Sequence, residues 1–223
     1  MKILMSWSSG KDSAWAVHLL RQQGTPPAAL LTTINESADR VSMHAVRSQV
    51  LRAQADALGL PLVTVPLPWP CTNDLYEARM GEAVRGVVAD GFTHVAFGDL
   101  FLEDVRRYRE DRLAGSGLAP VFPLWGLPTD RLARAMIAGG LEARITCLDP
   151  RVVPRAFAGR AFDEALLDDL PAGVDPCAER GEFHTCVVNG PMLAARIDVV
   201  MGETVERDGF VFTDVRLGRS DVE

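Results

Sequence analysis

The sequence predicts an α/β protein that is built on an open parallel sheet and carries a smaller C-terminal α+β lobe. In the first half of the chain, short apolar or β-branched runs alternate with longer helical patterns, which is typical of successive β-α-β units. Beyond Pro128 the order of these patterns becomes less regular. We therefore predict two domains, residues 1–128 for the parallel sheet and residues 129–223 for the second lobe.

Four strands and three helices are predicted in the first domain. The strands are predicted at residues 2–5, 28–34, 62–65 and 94–97. The helices are predicted from Gly10 to about Gly24, over residues 45–58 and over residues 74–89. Each helix has apolar residues at a spacing of three or four, and each is followed by a glycine, which ends helices readily.

The second domain gives fewer clear signals. A helix is predicted near residues 130–138 and a strand near residues 143–147. Two late strands, at residues 196–201 and 210–216, flank a turn at Asp208-Gly209. These elements follow no regular β-α-β order, so we place a separate lobe here.

Composition and charge limit the classes of protein to which the chain can belong. The 223 residues are 48% hydrophobic and 24% charged, which excludes a disordered or low-complexity chain. The net charge of -7 makes nucleic acid an unlikely partner. No apolar run approaches the roughly 18 residues of a membrane span, and the four cysteines form no C-x-x-C pair. We expect a cytoplasmic protein with free thiols and no membrane partner, and we allow for a homodimer.

The most informative segment is Ser8-Ser9-Gly10-Lys11-Asp12-Ser13, between the first predicted strand and the first predicted helix. Small residues at such a turn leave backbone N–H groups free for phosphate oxygens, and the helix N-terminus adds partial positive charge. Lys11 adds a full charge. The segment is not a Walker A loop, because Met5 stands where that loop has its first glycine and Asp12 follows the lysine. A serine-capped helix start is the alternative interpretation.

A second polar segment, Gly98 to Glu110, follows the fourth predicted strand, at the edge where open α/β sheets bind ligands. Asp99 is a candidate contact for magnesium or ribose, although helix capping by Asp99 and Glu103 explains these residues equally well. The arginines of the segment could clamp phosphates, although a solvated helix face with salt bridges explains at least half of them.

A third group lies late in the chain. Glu179, Glu182 and His184 fall within six residues and form a plausible acid/base and ammonium-binding cluster. A surface loop with unrelated charges is the alternative. His44 is a further candidate for the site, and a histidine at a helix start is the alternative for it.

These segments resemble the motifs of one family in the same order. Residues 8–13 resemble SGGKDS, the pyrophosphate loop (PP-loop) of ATP pyrophosphatases, with Ser9 in place of the first glycine. Residues 98–110 resemble a GD-x-x-x-E-D-x-R-x-Y-R-E stretch, Pro123-Leu124-Trp125-Gly126 follows, and residues 179–185 are similar to an EGGEYET signature. On these motifs the chain resembles the diphthine-ammonia ligase family of PP-loop enzymes.

The resemblance implies an N-terminal domain of the adenine nucleotide α-hydrolase type and a C-terminal lobe that closes over the substrate. It implies an enzyme that uses ATP and Mg²⁺ to adenylate a carboxylate, which ammonia then converts to an amide. The expected nucleotide contacts are Ser8, Ser9, Gly10, Lys11, Asp12, Ser13, Thr32, Gly98 and Asp99, with Asp12 and Asp99 as metal contacts. The expected substrate contacts are His44, Glu103, Tyr108, Arg109, Trp125, Glu179, Gly181, Glu182 and His184. Lys11, Asp12, Glu182 and His184 are the expected catalytic residues.

Two departures from the family signature bear on the acceptor. Arg180 stands where the signature has its first glycine, and His184 stands where it has its last glutamate. We therefore allow for an acceptor that differs from that of the ligases. A PP-loop enzyme that modifies tRNA is one alternative, although the acidic balance counts against it. A regulatory module that binds adenine nucleotide without turnover is the other, although the charged late cluster counts against that.

Overall fold

The computed structural model describes residues 1–218 and contains two sheets. The strands are β1 (Ile3–Ser6), β2 (Pro27–Asn35), β3 (Arg40–Val41), β4 (Leu62–Leu67), β5 (His94–Ala96), β6 (Ala119–Val121), β7 (Glu142–Leu148), β8 (Phe183–Asn189), β9 (Val199–Arg207) and β10 (Phe210–Leu217). The helices are α1 (Lys11–Gln22), α2 (Ser48–Leu58), α3 (Asn73–Ala89), α4 (Glu103–Leu113), α5 (Thr129–Ala138) and α6 (Glu164–Asp169). A 3₁₀ turn covers Arg155–Phe157.

The first sheet is mainly parallel. Its order is β4-β2-β1-β5-β6, and the short β3 pairs antiparallel with the end of β2. Ile3 of β1 lies opposite Pro27 of β2 and His94 of β5, so these strands start level and run in the same direction. The loops that follow β1 and β5 therefore leave from one edge of the sheet, which brings residues 8–13 beside residues 98–99.

The second sheet is antiparallel, with the order β8-β7-β10-β9. One cluster of buried apolar residues extends from the first sheet into the second, with Met5 and Trp7 at one end and Ile145 and Val187 at the other. The predicted α/β class, with a mainly parallel sheet and a smaller C-terminal lobe, is confirmed. The boundary at residue 128 stays a prediction, and residues 219–223 of the second predicted domain lie outside the described residues.

Most predicted elements lie within three residues of the observed ones, and the differences have physical reasons. The second predicted helix begins at Ser48 rather than at residue 45, because Ala45 has a φ of 55°, which no α-helix accommodates. The late strand predicted at 196–201 begins only at Val199 and continues to Arg207. Its second half contains the exposed Glu203, Glu206 and Arg207, and a search for apolar runs misses such an edge strand.

The sequence analysis gave no bounds for five elements, β3, β6, α4, α6 and β8, although it considered a helix face for the arginines of α4. β3 has only two residues, and Pro120 occupies the centre of β6, where proline argues against a strand. β8 begins inside the segment that the sequence analysis interpreted as a loop, at Phe183. Within residues 1–218, no helix is both long and apolar enough to span a membrane.

An arginine cluster around Asp214 connects the two sheets. Arg40 on β3 and Arg47 before α2 each lie 2.8 Å from Oδ1 of Asp214, which belongs to β10. Arg216 donates to Oδ2 at 2.6 Å. Burial alone would raise the pKa of Asp214, but the hydrogen bonds from Arg47, Arg216 and Arg40 outweigh it and hold this pKa well below its usual range.

We predict that Asp214→Asn lowers the free energy of unfolding by about 2 kcal/mol at pH 7, because it leaves three guanidinium groups without their shared counter-ion. The native pKa of Asp214 is depressed, so its contribution is present above the unfolded pKa of about 4 and is lost as the pH falls below that value. Urea unfolding of the wild type and the variant at pH 7 and at about pH 3 measures the difference.

The matched control is Asp208→Asn, the same chemical change at the turn between β9 and β10, where the residue has a φ of 51° that asparagine also tolerates. A loss at Asp208 as large as the loss at Asp214, or a difference at Asp214 that does not shrink in acid, would contradict this account of the cluster.

Candidate active site

The PP-loop is a tight turn between β1 and α1. Ser9 has a φ of 71°, in the left-handed region, and α1 begins at Lys11. The Ser13 hydroxyl donates to the carbonyl of Gly10 at 2.9 Å, and Ser8 Oγ lies 3.1 Å from Ser13 Oγ. These bonds fix the conformation of the loop at the N-terminus of α1.

Gly98 makes the loop after β5 fit against the PP-loop. A Cβ atom on Gly98 would lie 2.9 Å from the backbone nitrogen of Ser13 and 3.2 Å from Cβ of Asp12. Any side chain at this position would push the two loops apart, which explains why a glycine precedes Asp99 here.

The C-terminal lobe covers the PP-loop directly. The backbone N–H of Lys11 donates to Oγ1 of Thr185 at 3.1 Å, and the N–H of Val187 donates to the carbonyl of Ser9 at 2.9 Å. Gln54 of α2 donates to the carbonyls of Ser9 and Val187 at 3.2 and 2.8 Å. β8 therefore forms one wall of the nucleotide loop.

Lys11 is buried, with 2% of its surface exposed. Its Nζ donates to Oδ2 of Asp12 at 2.9 Å and to the carbonyl of Cys177. Burial lowers the pKa of Lys11, but the charges of Asp12 and of other nearby acidic groups outweigh it and raise this pKa above its ordinary value. The side chain is therefore a permanent cation at the phosphate loop.

One carboxylate oxygen of Asp12 makes no hydrogen bond within the described chain. Its Oδ1 is shielded from solvent and has no hydrogen-bond partner within residues 1–218. Burial raises the pKa of Asp12, and Lys11 opposes that rise. An unpartnered carboxylate oxygen beside a phosphate loop fits Mg²⁺, which proteins hold through one or two carboxylates together with substrate phosphates and water. No group of three or more metal-ligating side chains occurs in the described part of the chain, so phosphate and water oxygens would have to complete such a site.

Two histidines from different lobes pack against each other at the loop, with their ring planes tilted by 47°. The ring centroids of His44 and His184 are 4.7 Å apart, and Nδ1 of His44 lies 2.9 Å from the carbonyl oxygen of Thr185. Because a carbonyl only accepts, Nδ1 of His44 carries the hydrogen. Burial lowers the pKa of His44 to about 4 and that of His184 to about 3, so both rings are neutral at pH 7.

The two glutamates of the late motif have different surroundings. Oε1 of Glu179 accepts the backbone N–H of Leu100 at 2.8 Å, and burial raises the pKa of Glu179 to about 7. Glu182 instead accepts the N–H groups of Asp175 and Arg180 at 3.1 and 2.9 Å. Glu182 thus holds its own loop together, whereas Glu179 faces the β5 edge of the first sheet.

A cavity of about 410 Å³ lies between the PP-loop, the two histidines and Glu179. Of the residues predicted from the sequence, its lining includes Ser8, Lys11, Asp12, Ser13, His44, Gly98, Asp99, Arg109, Glu179 and His184. Further lining residues are apolar, among them Leu31, Met80, Val84 and Val95. The phosphate loop and the late motif, which are distant in sequence, therefore open into one space.

Asp99 and Arg109 enter the cavity as a pair. Nη2 of Arg109 donates to Oδ1 of Asp99 at 3.0 Å, and Nε donates to Oδ2. Arg109 also lies over the ring of Phe97, 4.4 Å from its centroid. Arg109 of α4 thus holds the Asp99 carboxylate in place. A metal ion bound by Asp99 would share this carboxylate with the Arg109 guanidinium.

Other predicted contacts do not line this cavity, and their assignment as contacts stays a prediction. Thr32 is buried and donates to the carbonyl of Trp7 at 2.8 Å. Glu103 and Tyr108 are exposed on α4, and Trp125 packs against Phe122 and Arg106. The remaining predicted residues outside the lining are Ser9, Gly10, Gly181 and Glu182.

The sequence analysis did not single out Thr185, Gln54 or the α3 residues Tyr76 and Met80. Thr185 ends the late signature, but neither Thr185 nor Gln54 shows from the sequence that it bonds to the backbone of the PP-loop. Tyr76 and Met80 lie four residues apart on α3, and this spacing is also that of an ordinary core-facing helix.

Comparison with known proteins identifies the family. Residues 1–113 match the family model of the diphthamide synthase N-terminal domain, and residues 128–216 match that of the diphthamide synthase C-terminal domain. A search of the curated proteins found no match. Among solved structures, a predicted subunit of tRNA methyltransferase from Methanocaldococcus jannaschii is 17% identical, with a TM-score of 0.46, over 86% of this chain and 98% of that chain.

The two family models cover both lobes and all the motifs that line the cavity. Membership supports an ATP-using enzyme of the PP-loop ATP pyrophosphatase type. The chain belongs to the diphthamide synthase family, as the order of its motifs predicted.

Proposed function

We propose that the protein is an AMP-forming ligase that adenylates a carboxylate and converts it to an amide with ammonia. The observation that carries the proposal is the shared cavity, in which Lys11 and Asp12 of the PP-loop face Glu179 and His184 of the late motif. A nucleotide loop and a second polar cluster around one space are what a two-substrate reaction requires.

The phosphates of ATP would bind at the PP-loop. The N-terminus of α1 supplies backbone N–H groups and a partial positive charge, and Lys11 supplies a full one. Apolar residues of the cavity lining, such as Leu31 and Val84, suit the faces of a purine ring. Mg²⁺ at Asp12 and the phosphates would neutralise part of the charge of the departing pyrophosphate.

The reaction has two steps. In the first, a carboxylate oxygen of the acceptor attacks the α-phosphorus of ATP, the bond between the α-phosphorus and the bridging oxygen breaks, and pyrophosphate leaves. In the second, the nitrogen of ammonia attacks the acyl carbon, the bond to AMP breaks, and the surplus proton is released. The contribution of Lys11 is to stabilise the negative charge that develops at the phosphates, an effect worth about 3 kcal/mol for a preorganised donor.

The acceptor is a carboxylate on a small molecule or a protein. The neutral ring of His184 occupies the position at which the family signature has its last glutamate. A neutral hydrogen-bonding ring in place of an anion changes the charge that an acceptor meets. We therefore propose an acceptor that differs from that of the ligases with the full signature.

We predict that Lys11→Met weakens ATP binding at least about 10-fold and removes most of the rise in melting temperature that ATP and Mg²⁺ produce in the wild type. The variant keeps the length of the side chain and the backbone of the loop but loses the cation, and a hydrogen bond to a charged group contributes about 1.5 to 3 kcal/mol. Calorimetric titration and thermal denaturation measure the two effects.

Lys2→Met is the matched control, because Lys2 is the only other lysine of the chain. Its Nζ donates to the carbonyl of Asp90 at 2.8 Å, before β1 and at the opposite end of the strand from the PP-loop. ATP should stabilise this variant as it stabilises the wild type. An undiminished ATP effect in Lys11→Met would place the phosphates elsewhere.

A second prediction concerns the products. Turnover should convert ATP to AMP and pyrophosphate, because the loop is of the pyrophosphatase type and lacks the Walker pattern. We would screen a panel of carboxylates with ATP, Mg²⁺ and hydroxylamine, which captures an acyl adenylate as a coloured hydroxamate. Separation of the spent nucleotides then decides the mechanism, since ADP and phosphate in equal amounts would exclude it.

A further inference from the structure

Glu179 differs from the other carboxylates that line the cavity. Asp12 is paired with Lys11 at 2.9 Å, and Asp99 is paired with Arg109. Glu179 has no cationic partner among residues 1–218, although it lies beside both of those pairs. The cavity therefore contains two neutralised carboxylates and one that is free to bind a cation.

The geometry fixes the Glu179 carboxylate with one oxygen available. Oε1 accepts the backbone N–H of Leu100 at 2.8 Å, and the N–H of Glu179 itself donates to Oδ2 of Asp175 at 2.8 Å. Oε2 accepts no hydrogen bond from the described part of the chain, and it is not among the fully shielded atoms without a partner. A side chain held at one oxygen presents the other in a constant position.

The nearby arginine does not neutralise Glu179. Arg180 follows it directly, but its guanidinium lies over the ring of Phe101, 5.2 Å from the centroid, and 4.0 Å from Oε1 of Glu182. On the other side of the cavity, His44 and His184 are uncharged at neutral pH. A small cation in the cavity would therefore meet two ion pairs, two uncharged histidine rings and one unpaired carboxylate.

We propose that Glu179 binds the ammonium ion through Oε2 and accepts its proton, which makes Glu179 the general base for the amidation step. The inference rests on the proposed function and assigns its second substrate to a residue. Ammonium transfers one proton to Oε2, and the ammonia formed attacks the acyl carbon of the adenylate. The carbon–oxygen bond to AMP breaks, and the proton lost from the new carbon–nitrogen bond passes to water.

The proton affinity of Glu179 suits this role. Burial raises its pKa to about 7, the amide of Leu100 opposes the rise, and the negative charges of Asp12 and Asp99 add to it. A carboxylate with a pKa close to the working pH can both take up and return a proton. Ammonium is the main form of ammonia at neutral pH, so a nucleophile must be made from it at the site.

The test compares two nucleophiles in Glu179→Gln, a variant that keeps an oxygen acceptor for Leu100. Hydroxylamine is largely unprotonated at neutral pH and needs no base, whereas ammonium does. With an acceptor found in the hydroxamate screen, kcat/KM for ammonium should fall by about 100-fold. Hydroxamate formation and ATP affinity should stay within about 3-fold of the wild type. Glu203→Gln, on the exposed edge of β9, is the matched control and should change neither rate.

Equal losses with both nucleophiles would overturn the proposal, because they would place Glu179 in the adenylation step or in the fold. Unchanged amidation in Glu179→Gln would overturn it as well. In either case hydroxamate formation by the wild type still reports on the ligase chemistry, so failure of the base and failure of the proposed function are distinguishable.

A second measurement needs neither acceptor nor turnover. Carbon-13 labelling of the glutamate carboxyl groups allows Glu179 to be titrated by NMR in the wild type, with Glu179→Gln giving the assignment. Ammonium chloride should lower the pKa of Glu179 relative to sodium chloride at equal concentration, because a bound cation favours the carboxylate form. Identical titrations in the two salts would overturn the ammonium site, whatever reaction the enzyme performs.

Discussion

The pairing of β8 with the PP-loop is the constraint on which the rest of the site depends. The loop donates through the N–H of Lys11 to Thr185 and accepts from the N–H of Val187, so its backbone is shared between two lobes. The chain before β8 supplies the carbonyl of Cys177 to the Lys11 ammonium. Because buried backbone groups must be paired, the C-terminal lobe can occupy only the position that satisfies them.

This arrangement determines the electrostatics of the cavity. A buried lysine is costly unless a carboxylate accompanies it, and Asp12 adjoins Lys11 in both sequence and space. Asp99, in the loop after β5, is likewise paired with Arg109 of α4. Because these charges are neutralised in pairs, the two lobes enclose the site without burying unpaired charges there. The carboxylate of Glu179, which has no such partner in the described chain, therefore differs chemically from those of Asp12 and Asp99.

The sequence predicted the elements with strong periodicity and the loops at the sheet edge, because both depend on local patterns. It could not predict which of the late glutamates faces the cavity, since Glu179 and Glu182 differ only in the turn that separates them. It also missed Thr185 and Gln54, whose roles depend on backbone groups more than 40 residues away in the chain. Long-range hydrogen bonds of this kind have no periodicity from which they can be recognised.

The conformation of Ser9 depends on residues that lie far from it in the chain. A non-glycine residue in the left-handed region costs about 1 to 2 kcal/mol, and the buried hydroxyl of Ser9 has no partner within the described chain. Bonds from Gln54 and Val187 to the carbonyl of Ser9 compensate for this cost. The PP-loop is thus held in its conformation partly by residues far along the chain, because the N–H of Lys11 donates to Thr185, 174 residues later.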